Sequence, residues 1–151
     1  MEAATLEQKI GQLFIVGFAG GTLDRDHPIV RDVAERNLGG VILFDRLLAN
    51  GQNTNNIVNR DQLKLLVEEL QAYAQTPLLI AVDQEGGKVS RFSEKRGFPI
   101  TPAASKLGLE PALQLTARSA GQTAGMLQDV GMNFNLPPVV DLNIYDQNPI
   151  I

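Results

Sequence analysis

The sequence predicts an α/β protein built on a parallel sheet of about four strands. Short apolar runs alternate along the chain with longer segments in which apolar residues recur at helical spacing. Residues 78–82 are apolar at every position, as expected of a parallel strand that is buried on both faces. Three successive strand–helix–strand units imply right-handed crossovers, and these place the strands parallel in one sheet.

The predicted strands are apolar runs bounded by turn residues, and they cover residues 14–18, 41–44, 78–82 and 132–140. The predicted helices begin at residues that favour helix N-termini: Thr5 with Gln8, Pro28, Asn59 with Gln62, and Pro111. Gly131 is predicted to end the last helix. Residues 49–59 are asparagine-rich and predict a loop, and residues 90–107 predict a long irregular connection.

Composition excludes several classes of function. The 151 residues suit one domain, and no linker divides them. The net charge of −4 is scattered without a basic stripe, which argues against nucleic-acid binding, and no apolar stretch is long enough to cross a membrane. Cysteine is absent and His27 is the single histidine, so we expect no disulfide, no metal centre and no cofactor. No signal peptide is visible at the N-terminus, so we expect a cytoplasmic protein.

Candidate site residues follow the strands, because ligands of parallel α/β proteins bind at the carboxyl ends of the strands. Asp83 and Glu85 follow the third strand, and two carboxylates on one rim suggest the acid and nucleophile of a glycosidase. Arg91 is close enough in sequence to reach back to a hydroxyl or a carboxylate. The structural alternative is an aspartate that caps a turn, followed by a solvated glutamate, and the residues alone leave both interpretations open.

Other polar and glycine-rich positions favour structural roles or stay undecided. The segment ending in Gly87 and Lys88 lacks the spacing and the hydroxyl residue of a phosphate-binding loop. We expect His27, which precedes a helix start, to lie at the surface or to cap the helix. Asp141 is either a buried structural acid or a rim residue.

The ten residues from Asp83 to Phe92 read Asp-Gln-Glu-Gly-Gly-Lys-Val-Ser-Arg-Phe. This segment resembles the signature of glycoside hydrolase family 3, most closely in its bacterial β-N-acetylhexosaminidase branch. Four further segments resemble the family in the same order, at residues 9–14, 39–44, 133–142 and 148–151. The resemblance therefore extends over nearly the whole chain.

The resemblance implies that residues 1–151 are a partial family 3 domain, the N-terminal half of a TIM-type (β/α)8 barrel. It implies that Asp83 and Arg91 bind the substrate sugar. The family's acid/base histidine and its nucleophilic aspartate follow later strands, so no catalytic residue is expected in this chain. Glu85 matches a family position that is not the catalytic acid, and this overrides the two-carboxylate interpretation. Lys88 replaces the arginine that is usual in the branch and is assigned no role.

The function implied is that of a retaining β-glycosidase acting on O-glycosyl bonds, most like a β-N-acetylglucosaminidase, with the isolated chain itself inactive. The alternatives are a β-glucosidase-type member of the family and a non-catalytic fragment that binds sugar or assembles with a partner. The expected ligand is a carbohydrate, in particular a glycan that contains N-acetylglucosamine. Half of a barrel leaves sheet edges unpaired, so we expect self-association or binding to the C-terminal half of a barrel.

Overall fold

The strands form one parallel sheet in sequence order. The computed structural model describes residues 4–47, 54–109, 113–142, 144–145 and 147. Its four-stranded sheet has the order β1-β2-β3-β4, and each neighbouring pair is parallel. The strands are β1 (Ile15–Gly17), β2 (Gly40–Ile42), β3 (Leu79–Val82) and β4 (Phe134–Asn135). The predicted α/β fold is confirmed, and the strand order is that of one half of a (β/α)8 barrel.

The helices are α1 (Leu6–Gly11), α2 (Pro28–Ala34), α3 (Arg60–Tyr73), α4 (Ala104–Leu109) and α5 (Leu113–Asp129). Helix α1 precedes β1, the other helices connect the strands, and α1, α2 and α3 begin where the sequence predicts. Thr5 and Gln8 form the complete capping box at α1. His27 caps α2 by accepting a hydrogen bond from the backbone of Ile29 at Nδ1. Pro111, the predicted start of α5, lies outside the described residues.

The pair Asn59 and Gln62 at the start of α3 forms one of the two hydrogen bonds of a capping box. Asn59 accepts from the backbone N–H of Gln62, as expected. The side chain of Gln62 accepts instead from the backbone N–H of Val58, one residue before the cap. Only half of a capping box therefore forms, and the Asn59 side chain satisfies the N–H of Gln62 in the first turn of α3.

Two sequence predictions are corrected. Residues 90–107 are not irregular throughout, because a 3₁₀ turn forms at Glu94–Arg96 and α4 begins at Ala104. The prolines and glycines of this segment predict an irregular chain, but its other residues favour helix strongly enough to form these two elements. The fourth strand is much shorter than residues 132–140, because Pro137 and Pro138 have no N–H to donate to a ladder.

One face of the sheet is sealed by α2 and α3. Val41, Ile80 and Val82 point to this face and are fully buried. Helices α2 and α3 contribute seven buried side chains to this core: Ile29, Val30 and Val33 from α2, and Leu63, Leu66, Val67 and Leu70 from α3. The sheet therefore has a covered outer face, as strands of a (β/α)8 barrel do.

The opposite face is only partly covered. Ile15, Gly40 and Leu79 are register partners and share this face. A Cβ added to Gly40 would lie 2.9 Å from Cβ of Leu79 and 3.1 Å from Cγ1 of Ile15, so this row is tightly packed along the sheet. Yet Ile15 is 39% and Leu79 is 45% exposed. This is the face that the opposing strands of a closed barrel would cover.

No helix in the described part of the chain is both long and apolar enough to cross a membrane.

Adjacent leucines of α3 provide a matched test of the core. Leu66 is 1% exposed and Leu65 is 61% exposed. Leu66→Ala is expected to lower the free energy of unfolding by about 3 kcal/mol, because it leaves a cavity under the sheet. Leu65→Ala makes the same change in helix propensity at the surface and is expected to cost less than about 0.5 kcal/mol. Urea unfolding followed by circular dichroism measures both, and equal losses would contradict the packing described here.

Candidate functional site

The residues that follow β2 and β3 form an ion-pair network at the carboxyl edge of the sheet. Arg91 Nη1 lies 3.4 Å from Asp45 Oδ1, and Arg91 Nη2 lies 3.7 Å from Asp83 Oδ2. The guanidinium carbon is 5.6 Å from the centre of the Phe44 ring. The structure thus brings the two predicted site residues, Asp83 and Arg91, into one cluster. Of the two carboxylates, Asp83 is the more exposed and faces the rim.

Asp45 is a member of this cluster that the sequence did not assign. Its carboxylate also lies 3.5 Å from Nη2 of Arg96, and it therefore faces two guanidinium groups. Arg96 is held in turn by a hydrogen bond from its Nε to the carbonyl of Ile57, at 3.0 Å. A buried carboxylate needs such partners, because leaving it unpaired away from water is costly. Asp45 therefore pairs with Arg91 on its buried side, and Asp83 pairs with Arg91 at the exposed rim.

Gln84 holds the loop that carries Arg91. Its side-chain Oε1 accepts hydrogen bonds from the backbone N–H groups of Arg91 and Phe92, each at 2.9 Å. Its Nε2 donates to Ser90 Oγ at 2.8 Å and to Thr101 Oγ1 at 2.9 Å. The side chain is buried and all of its hydrogen-bonding atoms are used. This one amide therefore fixes the position of Arg91 relative to Asp83, the residue that precedes Gln84 in sequence.

The glycine pair of the loop serves the packing of the chain itself. Gly86 and Gly87 have φ values of 89° and 60°, which favour glycine. A Cβ on Gly86 would collide with the carbonyl of Pro102, and one on Gly87 would lie 2.6 Å from Cβ of Ala103. The backbone N–H of Gly87 donates to the carbonyl of Thr101 at 3.0 Å. The glycines therefore allow residues 101–103 to approach this loop closely.

Glu85 follows on the same rim in a partly buried position. Burial raises the pKa of Glu85, the charge of Asp83 raises it further, Arg91 opposes this, and Asp141 adds to the increase. Asp141 is exposed, so it is a rim residue and not a buried structural acid. Glu85 also lines a cavity of about 730 Å³ between α4, α5 and β4. The described residues contain no group of three or more side chains able to hold a metal ion.

Two asparagines that were predicted only as part of a loop tie the ends of β1 and β2 together. Asn55 accepts from the backbone of Gly20 at 2.9 Å and donates to the carbonyl of Phe18 at 3.2 Å. Asn56 donates to the carbonyls of Phe18 and Gly20 and accepts from the backbone of Phe44 at 3.0 Å. Both side chains are buried. They hold Phe44 where its ring meets Arg91.

Asn135 performs the same task at the end of β4. Its Oδ1 accepts from the backbone N–H of Gln84 at 3.1 Å. The signal at Asn135 is its position at a strand end, where an Asn side chain can satisfy backbone groups of the neighbouring segment. Asn55 and Asn56 lie far from any strand end, so this signal does not mark them.

Removing the Gln84 amide is expected to loosen the site loop. Gln84→Ala leaves the buried N–H groups of Arg91 and Phe92 without acceptors, so the free energy of unfolding should fall by about 2–4 kcal/mol. Trypsin cleavage after Lys88 and Arg91 should accelerate, because the loop opens more often. The matched control is Gln122→Ala, which removes one exposed hydrogen bond to the carbonyl of Ile100 and should change neither quantity measurably. A protease-resistant Gln84→Ala chain would contradict the role assigned to this amide.

Comparison with known proteins agrees with this geometry. The family model described as "Glycosyl hydrolase family 3 N terminal domain" matches residues 5–151. A β-hexosaminidase of Bordetella avium is 38% identical over 141 residues, which are 85% of this chain and 35% of the relative. A β-hexosaminidase of Methylobacillus flagellatus is 35% identical over 128 residues, which are 81% of this chain and 33% of the relative. The chain therefore spans about a third of the length of these relatives.

Solved structures agree as well. The glycoside hydrolase family 3 β-N-acetylglucosaminidase of a Paenibacillus species superposes with a TM-score of 0.83 at 33% identity, covering 98% of this chain and 26% of that protein. NagZ of Neisseria gonorrhoeae, in complex with N-trifluoroacetyl-D-glucosamine, superposes with a TM-score of 0.71 at 30% identity, covering 86% of this chain and 37% of that protein. The four parallel strands, the loop from Asp83 to Phe92 and these similarities together establish that the chain belongs to the N-terminal domain family of the family 3 glycosyl hydrolases.

Proposed function

We propose that this chain supplies the sugar-binding half of the catalytic barrel of a retaining β-glycosidase, most like a β-N-acetylglucosaminidase. The observation that supports it best is the cluster of Asp83 and Arg91 at the carboxyl edge of the sheet. The relatives named as β-hexosaminidases and the relative solved with an N-acetylglucosamine analogue favour a glycan that contains N-acetylglucosamine as the ligand.

The chemistry of the cluster suits a sugar. An ionised carboxylate accepts hydrogen bonds from neighbouring hydroxyls, and a guanidinium presents several donors in a fixed plane. Arg91 is held by Asp45 on its buried side, so it loses little conformational freedom when a ligand arrives. Asp83 keeps part of its surface exposed and has acceptor capacity beyond its pairing with Arg91.

In this proposal, this half of the barrel binds the sugar and the other half carries out proton transfer. The resemblance assigns the acid/base histidine and the nucleophilic aspartate to strands that follow β4. Burial and the charge of Asp83 raise the pKa of Glu85, and the family position that Glu85 matches is not the catalytic acid. The unpaired sheet edges of this half are expected to be covered by protein, either a second copy of the chain or the C-terminal half of a barrel.

The 151-residue chain alone is expected not to hydrolyse a chromogenic N-acetyl-β-glucosaminide, because it lacks the acid/base and nucleophile segments. The measurement is release of the chromophore by the purified chain against a buffer blank. The variant Glu85→Gln, prepared in the same way, is the control for a local carboxylate mechanism. Turnover well above the blank that Glu85→Gln abolishes would contradict the proposal and revive the carboxylate pair.

In a polypeptide that joins this chain to the rest of the barrel, Asp83→Ala is expected to impair hydrolysis severely while folding survives. Loss of a charge-assisted hydrogen bond to the sugar should remove about 2–4 kcal/mol of transition-state binding, or roughly 30- to 800-fold in kcat/KM. Arg91→Ala should act in the same direction. The matched control is Asp129→Ala, which removes another surface carboxylate from an arginine pair, at the C-terminal end of α5.

Steady-state kinetics with N-acetyl-β-glucosaminide and β-glucoside substrates measure this effect and also separate the two enzyme alternatives. Preference for the β-glucoside would favour the β-glucosidase-type member of the family. Near-normal kcat/KM of Asp83→Ala would remove this residue from the site.

A further inference from the structure

We propose that Arg96 is a positioning residue for the sugar-binding Arg91, because it neutralises Asp45 and so leaves Arg91 free to face Asp83 and a ligand. Arg96 does not touch the ligand in this proposal and acts through the charge of Asp45. The inference rests on the proposed function, and it extends the site by two residues that lie behind the sugar-binding arginine.

Two guanidinium groups share Asp45 through separate oxygens of its carboxylate. Oδ1 lies 3.4 Å from Nη1 of Arg91, and Oδ2 lies 3.5 Å from Nη2 of Arg96. The Asp45 side chain is only 12% exposed, so water screens its charge weakly and it attracts a neighbouring cation strongly. Without Arg96, the whole attraction of this buried carboxylate would act on Arg91.

The two arginines differ in how they are anchored. The Nε of Arg96 donates to the carbonyl of Ile57 at 3.0 Å. Its Nη1 donates to Ser93 Oγ at 3.2 Å, and its Nη2 donates to the backbone carbonyl of Asp45 at 3.3 Å. The Nε of Arg91 is buried and has no hydrogen-bond partner among the residues that the structure describes. The guanidinium of Arg91 is therefore positioned by the charges around its terminal nitrogens, whereas that of Arg96 is fixed by hydrogen bonds.

The turn that carries Arg96 is itself held by the core. The 3₁₀ turn Glu94–Arg96 lies between Phe92 and Phe98, whose rings stack with their centres 4.3 Å apart. Both phenylalanines are buried, and the backbone N–H of Phe98 closes the turn by donating to the carbonyl of Ser93 at 3.1 Å. Arg96 therefore provides a positive charge at a fixed place beside Asp45.

The carboxylates at the rim already require the charge of Arg91. Its Nη2 lies 3.7 Å from Asp83 Oδ2. Burial and the charge of Asp83 raise the pKa of Glu85, and Arg91 opposes them, so Arg91 also acts on a second rim carboxylate. If Arg91 had to balance Asp45 alone as well, its guanidinium would be drawn inward and its donors would leave the rim. The charge of Arg96 removes this competition.

The first test measures steady-state kinetics in the polypeptide that joins this chain to the rest of the barrel. Arg96→Gln removes the charge and keeps an N–H donor for the carbonyl of Ile57. The KM for an N-acetyl-β-glucosaminide should rise about 10-fold while kcat changes much less, because binding by Arg91 weakens in ground state and transition state alike. Arg96→Lys keeps the charge and should raise KM less. The matched control is Arg31→Gln on the exposed face of α2, which removes an arginine from its pair with Glu35 and should leave KM unchanged.

The decisive comparison is with the double variant Arg96→Gln/Asp45→Asn, which removes both charges. If Arg96 acts by neutralising Asp45, the double variant should recover a KM within about 3-fold of the parent, since the two changes compensate each other. If Arg96 only holds the loop in place, the double variant should bind the substrate no better than Arg96→Gln. That second result, or an unchanged KM in Arg96→Gln, would overturn the proposal.

The second test does not depend on activity and locates Arg91 directly. In a crystal structure of Arg96→Gln, both terminal nitrogens of Arg91 should lie on Asp45, and its contact with Asp83 should be lost. In the double variant the contact with Asp83 should be retained. An Arg91 side chain that keeps its place in Arg96→Gln would refute the inference whatever the kinetics, and far-UV circular dichroism verifies the fold of each variant. A parent polypeptide without hydrolase activity would contradict the proposed function instead, and the position of Arg91 would then decide this inference alone.

Discussion

The pairing of β3 between β2 and β4 is the interaction on which the rest of this structure depends. Ile80 and Val82 are fully buried under the helices, and the backbone of this strand is paired on both sides. Burial of such side chains supplies about 1.5–3 kcal/mol each relative to exposure. The same strand carries Asp83 and Gln84 at its end. This central strand of the core therefore also positions the site, because Asp83 and Gln84 directly follow its apolar run.

Partly buried ion pairs hold the side chains at the carboxyl edge of the sheet in place. Arg91 faces two carboxylates, and Asp45 faces two guanidinium groups. These pairs join segments that lie far apart in sequence, and each partner lowers the penalty of burying the other's charge. Neutral amides complete the arrangement, because Asn56 and Gln84 use both their donors and acceptors on backbone and side-chain groups. A ligand at this edge meets groups whose positions are already set.

The sheet contrasts a sealed outer face with an open inner face. Glycine at position 40 lets Ile15 and Leu79 pack beside each other along the sheet, but nothing within the described chain covers them from above. The unpaired edges and this apolar face belong to the same surface.

Local features of the sequence were sufficient for most elements of this fold. The capping box at Thr5, the proline at the start of α2 and the apolar run of β3 act over a few residues, so they were readable in order along the chain. The resemblance of residues 83–92 added Asp83 and Arg91 as site residues. The length of β4 and the helix at Ala104 were misjudged, because strand pairing and helix packing depend on neighbours distant in sequence. Only the tertiary structure joined Asp45 to Arg91, 46 residues apart, and gave Gln84 its four hydrogen-bonding partners. Periodicity specifies which side of an element is apolar, whereas the meeting of two polar side chains is decided by how the strand ends align in the sheet.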